Sequence, residues 1–160
     1  MRPKRPLVYS RIRPKQFVLQ ELKSKSNDPL LTSQCPDIKW HFIGNCQTNK
    51  ANLLGDTANL SCVETILSAK LADKIQFQLA KRGSAKVDVL VQVNTSGEEN
   101  KNGVAPGPQT VALVRHVADK CPNMVFKGLM TIGALGNSVP REATQPGSNP
   151  DFLTLIQCRK

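Results

Sequence analysis

The chain has 160 residues, of which 39% are apolar and 21% are charged. This balance is typical of a globular protein, and the length suits one domain with a substantial core. No run approaches the roughly 18 consecutive apolar residues of a membrane-spanning helix, which predicts a soluble protein and excludes a membrane-spanning one.

The formal net charge of +10 is concentrated partly at one end of the chain, where six of the 22 basic residues lie within residues 1–15 without an acidic neighbour. We interpret 1–15 as a disordered basic tail and 16–160 as the folded domain. A mitochondrial presequence is an alternative for the tail, since it is rich in arginine. Its three prolines oppose the amphipathic helix that such a signal needs.

The chain contains five widely spaced cysteines: Cys35, Cys46, Cys62, Cys121 and Cys158. They show no C-x-x-C pattern and no Cys/His spacing typical of zinc sites. Free thiols in a reducing compartment are the preferred interpretation, which favours the cytoplasm. Because His41 and His116 are the two histidines available as further ligands, the sequence predicts no metal site.

The first predicted elements are a helix and a buried strand. The helix runs from residue 16 to about 25 and ends at Asn27-Asp28-Pro29, because the residue before proline disfavours the α region. Residues 38–43 form a strand with apolar side chains on both faces, as expected in a covered parallel sheet. Gly44 lets the chain turn at its end. Ligands bind at this carboxyl edge in parallel α/β folds, so we place a candidate site here.

A short helix near residues 48–54 leads to a second strand over 60–66, which is rich in β-branched residues. Ser68 is placed to cap the next helix, over 69–82, and Gly83 is placed to end it. We interpret the charged face of this helix as solvated.

The third strand, over 86–94, has the clearest alternation. Its two faces carry different residues: Val87, Val89, Val91 and Val93 on one, and Asp88, Leu90, Gln92 and Asn94 on the other. A face that becomes polar towards the strand's end suits a barrel interior that opens into a ligand site. Asn94 would then face the ligand while the valines pack against helices. The alternative is that Asn94 forms a turn at the strand end.

The last predicted elements are a helix over 109–120, a fourth strand over 125–132, a loop over 133–150 and a helix that begins at Asp151. The order is thus a leading helix followed by four strand–helix units. This alternation indicates an α/β fold with a parallel sheet.

Several motifs in this chain resemble those of one protein family. Residues 40–50 read WHFIG-x-x-Q-x-N-K, which is similar to the signature of the pyridoxal phosphate homeostasis proteins, also called proline synthase co-transcribed homologues. Further matching blocks follow in the family's order from about Phe17 to Phe152: Val63-Glu64-Thr65, Lys70-Leu71-Ala72-Asp73-Lys74, Gln92-Val93-Asn94-Thr95-Ser96-Gly97-Glu98-Glu99, Lys101-Asn102-Gly103, Gly128-Leu129-Met130-Thr131-Ile132-Gly133 and Asn149-Pro150-Asp151-Phe152.

This resemblance implies a (β/α)8 barrel of the TIM type, similar to the N-terminal domain of alanine racemase. About four of the eight strands, the third to the sixth, fall in this chain. The implied cofactor is pyridoxal 5′-phosphate (PLP), and the implied role is non-catalytic: to bind PLP, buffer it and deliver it to PLP-dependent client enzymes. The resemblance places four wall positions at the cofactor: His41, Ile43, Asn94 and Met130.

The chain departs from the family pattern where the family binds PLP most firmly. The Schiff-base lysine of the family's first strand has no counterpart before Phe17, and its phosphate loop would lie beyond Lys160. Lys50 and Lys101 lie near strand ends, but neither corresponds to that lysine. We therefore expect a truncated family member, from an alternative transcript or gene model, with an incomplete PLP site. Its open sheet would expose two edges to pairing or aggregation.

Two other functions compete with PLP homeostasis. A basic module that binds nucleic acid or protein through residues 1–15 would account for the net charge. However, the chain has only seven aromatic residues, none in an RNA-binding motif. An enzyme similar to alanine racemase or to the basic-amino-acid decarboxylases would need the missing lysine and acid–base groups from a second domain. The sequence therefore favours the non-enzymatic role.

Overall fold

The computed structural model describes residues 8–9, 17–83, 86–138 and 149–159. Its strands form a single sheet with the following members: β1 (Val8–Tyr9), β2 (Trp40–Phe42), β3 (Leu60–Ile66), β4 (Val87–Gln92) and β5 (Met124–Met130). They lie side by side in chain order, and each pairs in parallel with the next. This is the arrangement of a partial (β/α) barrel, as the sequence predicts.

Helices connect the strands in the right positions for such a barrel. They are α1 (Phe17–Ser26), α2 (Pro29–Gln34), α3 (Ala51–Gly55), α4 (Ala69–Arg82), α5 (Pro108–Lys120), α6 (Leu135–Ser138) and α7 (Pro150–Gln157), with a 3₁₀ turn (Thr48–Lys50) ahead of α3. None of the helices in the described part of the chain is both long and apolar enough to cross a membrane.

Several helix boundaries agree with the local signals in the sequence. The Ser68 hydroxyl accepts a hydrogen bond from the Leu71 N–H at 3.2 Å, and Gly83 ends α4 with a φ of +64°. Asp28 does not simply follow α1: its carboxylate caps α2 by accepting from the N–H groups of Leu30 and Leu31 at 2.8 and 3.2 Å. The sequence analysis missed α2, because a six-residue helix has too few turns to show periodicity.

The two-residue strand β1 corrects part of the prediction for the N-terminal region. Val8 and Tyr9 pair with His41 and Phe42 in the edge of the sheet, although they fall in the predicted disordered tail. Parallel pairing explains the difference, because backbone hydrogen bonds to β2 need no particular side chain. The rest of residues 1–15 lies outside the described residues, and so does the segment 139–148 of the predicted loop.

The hydrophobic core lies between one face of the sheet and the helices. It joins strand residues such as Phe42, Val63 and Val89 to helix residues such as Leu54 and Ile75, all of which are at most 2% exposed. The predicted inward valines of β4 are all buried. Each such valine contributes about 1.5–3 kcal/mol to folding. The opposite face of the sheet carries polar residues such as His41 and Glu64, which are partly exposed.

Candidate functional site

The four predicted cofactor residues lie near the carboxyl ends of three strands. His41 is the middle residue of β2 and Ile43 follows that strand, while Asn94 comes two residues after β4 and Met130 ends β5. All four side chains are partly exposed. The carboxyl edge of a parallel sheet is the usual ligand-binding edge of this architecture. The predicted residues are therefore on the appropriate edge of the sheet.

His41 is held by an acidic residue on the neighbouring strand. Its Nδ1 atom lies 2.9 Å from the Oε1 atom of Glu64, and the two side chains are 22% and 18% exposed. This contact fixes the orientation of the imidazole ring. Sequence reasoning noted Glu64 only as part of a family motif and missed its contact with His41. The sequence signal that could have revealed this contact is the position of Glu64, a charged residue between Val63 and Thr65, which are both buried in the structure.

The exit of the chain from β2 is fixed by a buried threonine. The Thr65 hydroxyl accepts from the Gly44 N–H at 3.3 Å and donates to the Gly44 carbonyl at 2.5 Å. Gly44 has a φ of +153°, which confirms its predicted role in a sharp turn. Thr65 is completely buried, and sequence reasoning used it only as a β-branched strand residue. These bonds set the backbone position of Ile43 at the edge.

Asn94 makes the contacts that its alternative interpretation predicts. Its side-chain carbonyl accepts from the Gly97 N–H at 3.1 Å, and its side-chain amide donates to the Glu98 carbonyl at 3.0 Å. Such bonds are typical of an asparagine that stabilises a turn. Contact between Asn94 and a cofactor stays a prediction.

The loop after β4 folds back closely over the end of that strand. Gln92 donates from its side-chain amide to the Asn102 carbonyl at 2.9 Å, and Val93 and Val104 form a parallel bridge. Gly103 has a φ of +131°, and a Cβ atom there would lie only 2.6 Å from the Asn94 nitrogen. Only glycine suits this approach, so Gly103 determines how closely the loop covers the edge.

A buried carboxylate ties together the loops that follow β4 and β5. Asp151, only 2% exposed, accepts hydrogen bonds from the Thr95 hydroxyl at 2.8 Å, the Ala134 N–H at 3.0 Å and the Asn137 side-chain amide at 2.8 Å. Thr95 also contacts the Thr131 hydroxyl at 2.7 Å. Sequence reasoning identified Asp151 only as a helix start and missed this network, which connects residues far apart in the chain.

The ionisation of Asp151 follows from these contacts. Burial raises the pKa of its carboxyl group, but the hydrogen bonds from Asn137, Thr95 and the Ala134 N–H, together with the charge of Lys101, outweigh burial and lower it below its usual value. Asp151 is therefore a stable anionic anchor for the loops, and not a proton donor near neutral pH.

Lys101 is a structural residue of the same edge. Its ammonium group donates to the Gly133 carbonyl at 2.8 Å and pairs with the Glu98 carboxylate. Hydrogen bonds from Lys101 and Ser96 lower the pKa of Glu98. Covalent attachment of PLP requires a neutral lysine amine beside the cofactor. The contacts of Lys101 oppose that role.

An apolar groove lies elsewhere in the described part of the chain, between α5, β5 and α7. It encloses about 760 Å³, and its apolar lining includes Val114, Phe126, Leu129 and Ile156. None of the four predicted cofactor residues lines it. The groove adjoins β5, which is an edge strand of the sheet.

The sequential parallel strands and the helices that connect them define a partial α/β barrel. The family model described as "Alanine racemase, N-terminal domain" matches residues 39–156. The chain belongs to the alanine racemase N-terminal domain family.

Individual relatives agree with this assignment. The human "Pyridoxal phosphate homeostasis protein" is 46% identical over 143 residues, which cover 89% of this chain and 50% of the human protein. The chain thus spans about half the length of this curated relative. An unknown protein from Bifidobacterium adolescentis has a similar structure, with a TM-score of 0.68 and 27% identity over 88% of this chain and 55% of that protein.

A third comparison supports the fold alone. The PipY protein of Synechococcus elongatus, solved with PLP bound, has a TM-score of 0.58 and 22% identity, covering 74% of this chain and 50% of PipY. Together these findings confirm the predicted resemblance and the predicted class of fold.

Proposed function

We propose that this chain binds PLP and takes part in its homeostasis in the cytoplasm, without catalysing a reaction. The observation that carries the proposal is the 46% identity to a human protein named for PLP homeostasis, over 89% of the chain. The cytoplasmic assignment is supported by the five cysteines, which are all free.

The residues at the carboxyl edge support a reversible mode of binding. His41, Ile43 and Met130 would form a wall against the pyridine ring, and the loop held by Asn94 and Gly103 would limit access to it. Bound PLP would supply an aldehyde that reacts with amines. Reversible contact leaves this aldehyde free for transfer to PLP-dependent client enzymes, which we propose as partners.

The non-catalytic role is supported by the structural use of the titratable groups at this edge. Asp151 and Glu98 accept several hydrogen bonds each, Lys101 links two loops, and His41 is paired with Glu64. A general acid or base must be able to exchange a proton with the substrate. Groups that hold loops in place are poorly suited to that task.

The proposal is tested by titrating PLP into the purified chain and following its absorbance. We expect a saturable spectral change that desalting removes, with or without prior borohydride treatment. A chromophore that resists desalting only after borohydride would show a covalent imine with a lysine and overturn the reversible mode. The absence of any saturable change would overturn PLP binding itself.

Substitutions at the carboxyl edge of the sheet test where PLP binds. His41→Ala combined with Ile43→Ala should raise the Kd for PLP about tenfold, which corresponds to roughly 1.4 kcal/mol. The matched control is Leu30→Ala, an apolar truncation on α2 at a side chain that is 62% exposed. Equal weakening by the edge variant and the control would exclude the proposed wall.

A further inference from the structure

Three potential metal ligands meet on the sheet face opposite the helices. His41 and Cys62 are direct partners in the register of β2 and β3, and Glu64 lies two residues beyond Cys62 on the same strand. The ligand atoms of these three residues all lie within 4.8 Å of one another. They supply one nitrogen, one sulfur and one oxygen atom.

Cys62 differs from its neighbours in the core. It is 7% exposed, yet it lies outside the hydrophobic cluster that contains Phe42 and Val63. The strand pairing is irregular on both sides of it, between Trp40 and His41 and again between Val63 and Ile66. The thiol lies beside the polar side chains of His41 and Glu64.

The geometry of the trio is close to that of a tetrahedral zinc site. Bonds of about 2.0 Å to nitrogen or oxygen and about 2.3 Å to sulfur place the ligand atoms about 3.3–3.5 Å apart. The Nδ1 atom of His41 and the Oε1 atom of Glu64 are 2.9 Å apart, so this pair would open by only a few tenths of an ångström, about 0.4 Å. The sulfur atom, within 4.8 Å of both, would approach through small side-chain rotations.

The combination of ligand types selects among metals. A thiolate and an imidazole favour Zn²⁺ over the hard cations Mg²⁺ and Ca²⁺, and three protein ligands leave a fourth position for water. Asp88, the register partner of Cys62 on β4, adds a negative charge nearby. Since His41 and Glu64 are each about one-fifth exposed, an ion has access from solvent.

We propose that His41, Cys62 and Glu64 bind one Zn²⁺ ion per chain, with water as the fourth ligand. This contradicts the expectation of no metal site, which rested on the linear spacing of cysteines and histidines. Zinc binding needs no PLP and is tested in its absence, although the two sites share His41. Zinc must displace the thiol proton of Cys62, whose pKa burial and the charges of Glu64 and Asp88 raise to about 12, and this cost lowers the affinity.

A second trio offers a built-in comparison. Asp73, His116 and Cys121 also bring their ligand atoms within 4.8 Å, with 2.6 Å between the Nε2 atom of His116 and the Oδ1 atom of Asp73. The Asp73 side chain is 56% exposed and the trio involves two helices and a helix end, not two hydrogen-bonded strands. We assign zinc to the first trio because paired strands hold its ligands more rigidly.

The first test is equilibrium dialysis of the purified full chain against Zn²⁺ buffered by a competing chelator, without PLP. The second test is substitution by cobalt, whose absorption detects a metal–thiolate bond. Wild type and Cys121→Ser should bind one ion, whereas Cys62→Ser should bind at least tenfold more weakly and lose the cobalt–thiolate band. Less than stoichiometric zinc on the wild type would overturn the proposal. So would loss of binding in Cys121→Ser with retention in Cys62→Ser, which would assign the ion to the second trio.

Because Cys62 and Cys121 are both buried, their variants need a folding control. Circular dichroism identifies variants that fail to fold, and Glu64→Gln provides a second test with nearly unchanged shape. We expect Glu64→Gln to weaken zinc binding about tenfold while retaining the cobalt–thiolate band. Affinity equal to that of the wild type in a folded Glu64→Gln variant would overturn the assignment of Glu64 and with it the three-ligand site.

Discussion

The substitution Asp151→Asn tests whether the buried carboxylate stabilises the loops that follow β4 and β5. The Oδ2 atom of Asp151 accepts from the Ala134 N–H at 3.0 Å and from the Asn137 amide at 2.8 Å. Asparagine has the same shape but keeps only one oxygen atom. Its NH2 group takes the place of a carboxylate oxygen that accepts hydrogen bonds in the wild type. The N–H of Ala134 or the hydroxyl of Thr95 would then lose its anionic acceptor.

The expected cost follows from the number of bonds to the charge. A hydrogen bond to a charged group contributes about 1.5–3 kcal/mol, so losing one or two of them lowers the free energy of unfolding by about 3 kcal/mol. For a chain of this size that corresponds to a Tm about 9 °C lower. Thermal and urea unfolding followed by circular dichroism measure both quantities. Asp119→Asn, at an exposed position on α5, is the matched control.

The stabilising contribution of the Asp151 carboxylate should decrease as the pH falls. The pKa of Asp151 is lowered in the folded chain from a reference of 3.8, so its stabilising contribution is fully present above that reference. It is lost as the pH falls through the lower folded-state pKa. The free energy of unfolding of Asp151→Asn should therefore approach that of the wild type as the pH falls into the acid range. A variant within about 1 kcal/mol of wild type at neutral pH would refute the anchoring role.

Two further substitutions probe the backbone at the same edge. Gly103→Ala should destabilise the chain by about 2 kcal/mol, because its Cβ would lie 2.6 Å from the Asn94 nitrogen at a φ of +131°. Urea unfolding measures this against Gly97→Ala, which also has a positive φ but meets no atom within 4 Å, and equal costs would contradict the steric argument. Thr65→Val should lower the free energy of unfolding by about 1–2 kcal/mol, because it removes both hydrogen bonds to Gly44. Thr65→Ser retains the hydroxyl and is the control. Equal Tm values for the two variants would exclude a structural role for these hydrogen bonds.

Features that depend on neighbouring residues were predictable. The bounds of β3 and α4, the Ser68 cap and the Gly83 stop all match the prediction, because strand propensity, helix periodicity and capping operate within a few residues. The short elements β1, α2 and α6 were not predicted. Their stability depends on the surfaces they lie against, and such short segments carry too weak a local signal.

The sequence by itself determined the class of fold and the family, because hydrophobic periodicity and short motifs specify both. Only the tertiary structure decided which side chains meet. His41 and Glu64 are 23 residues apart and Thr95 and Asp151 are 56 apart. Such pairs depend on strand register, on β-sheet irregularities and on the path of whole loops. These are properties of the complete packing arrangement, and no local propensity specifies them.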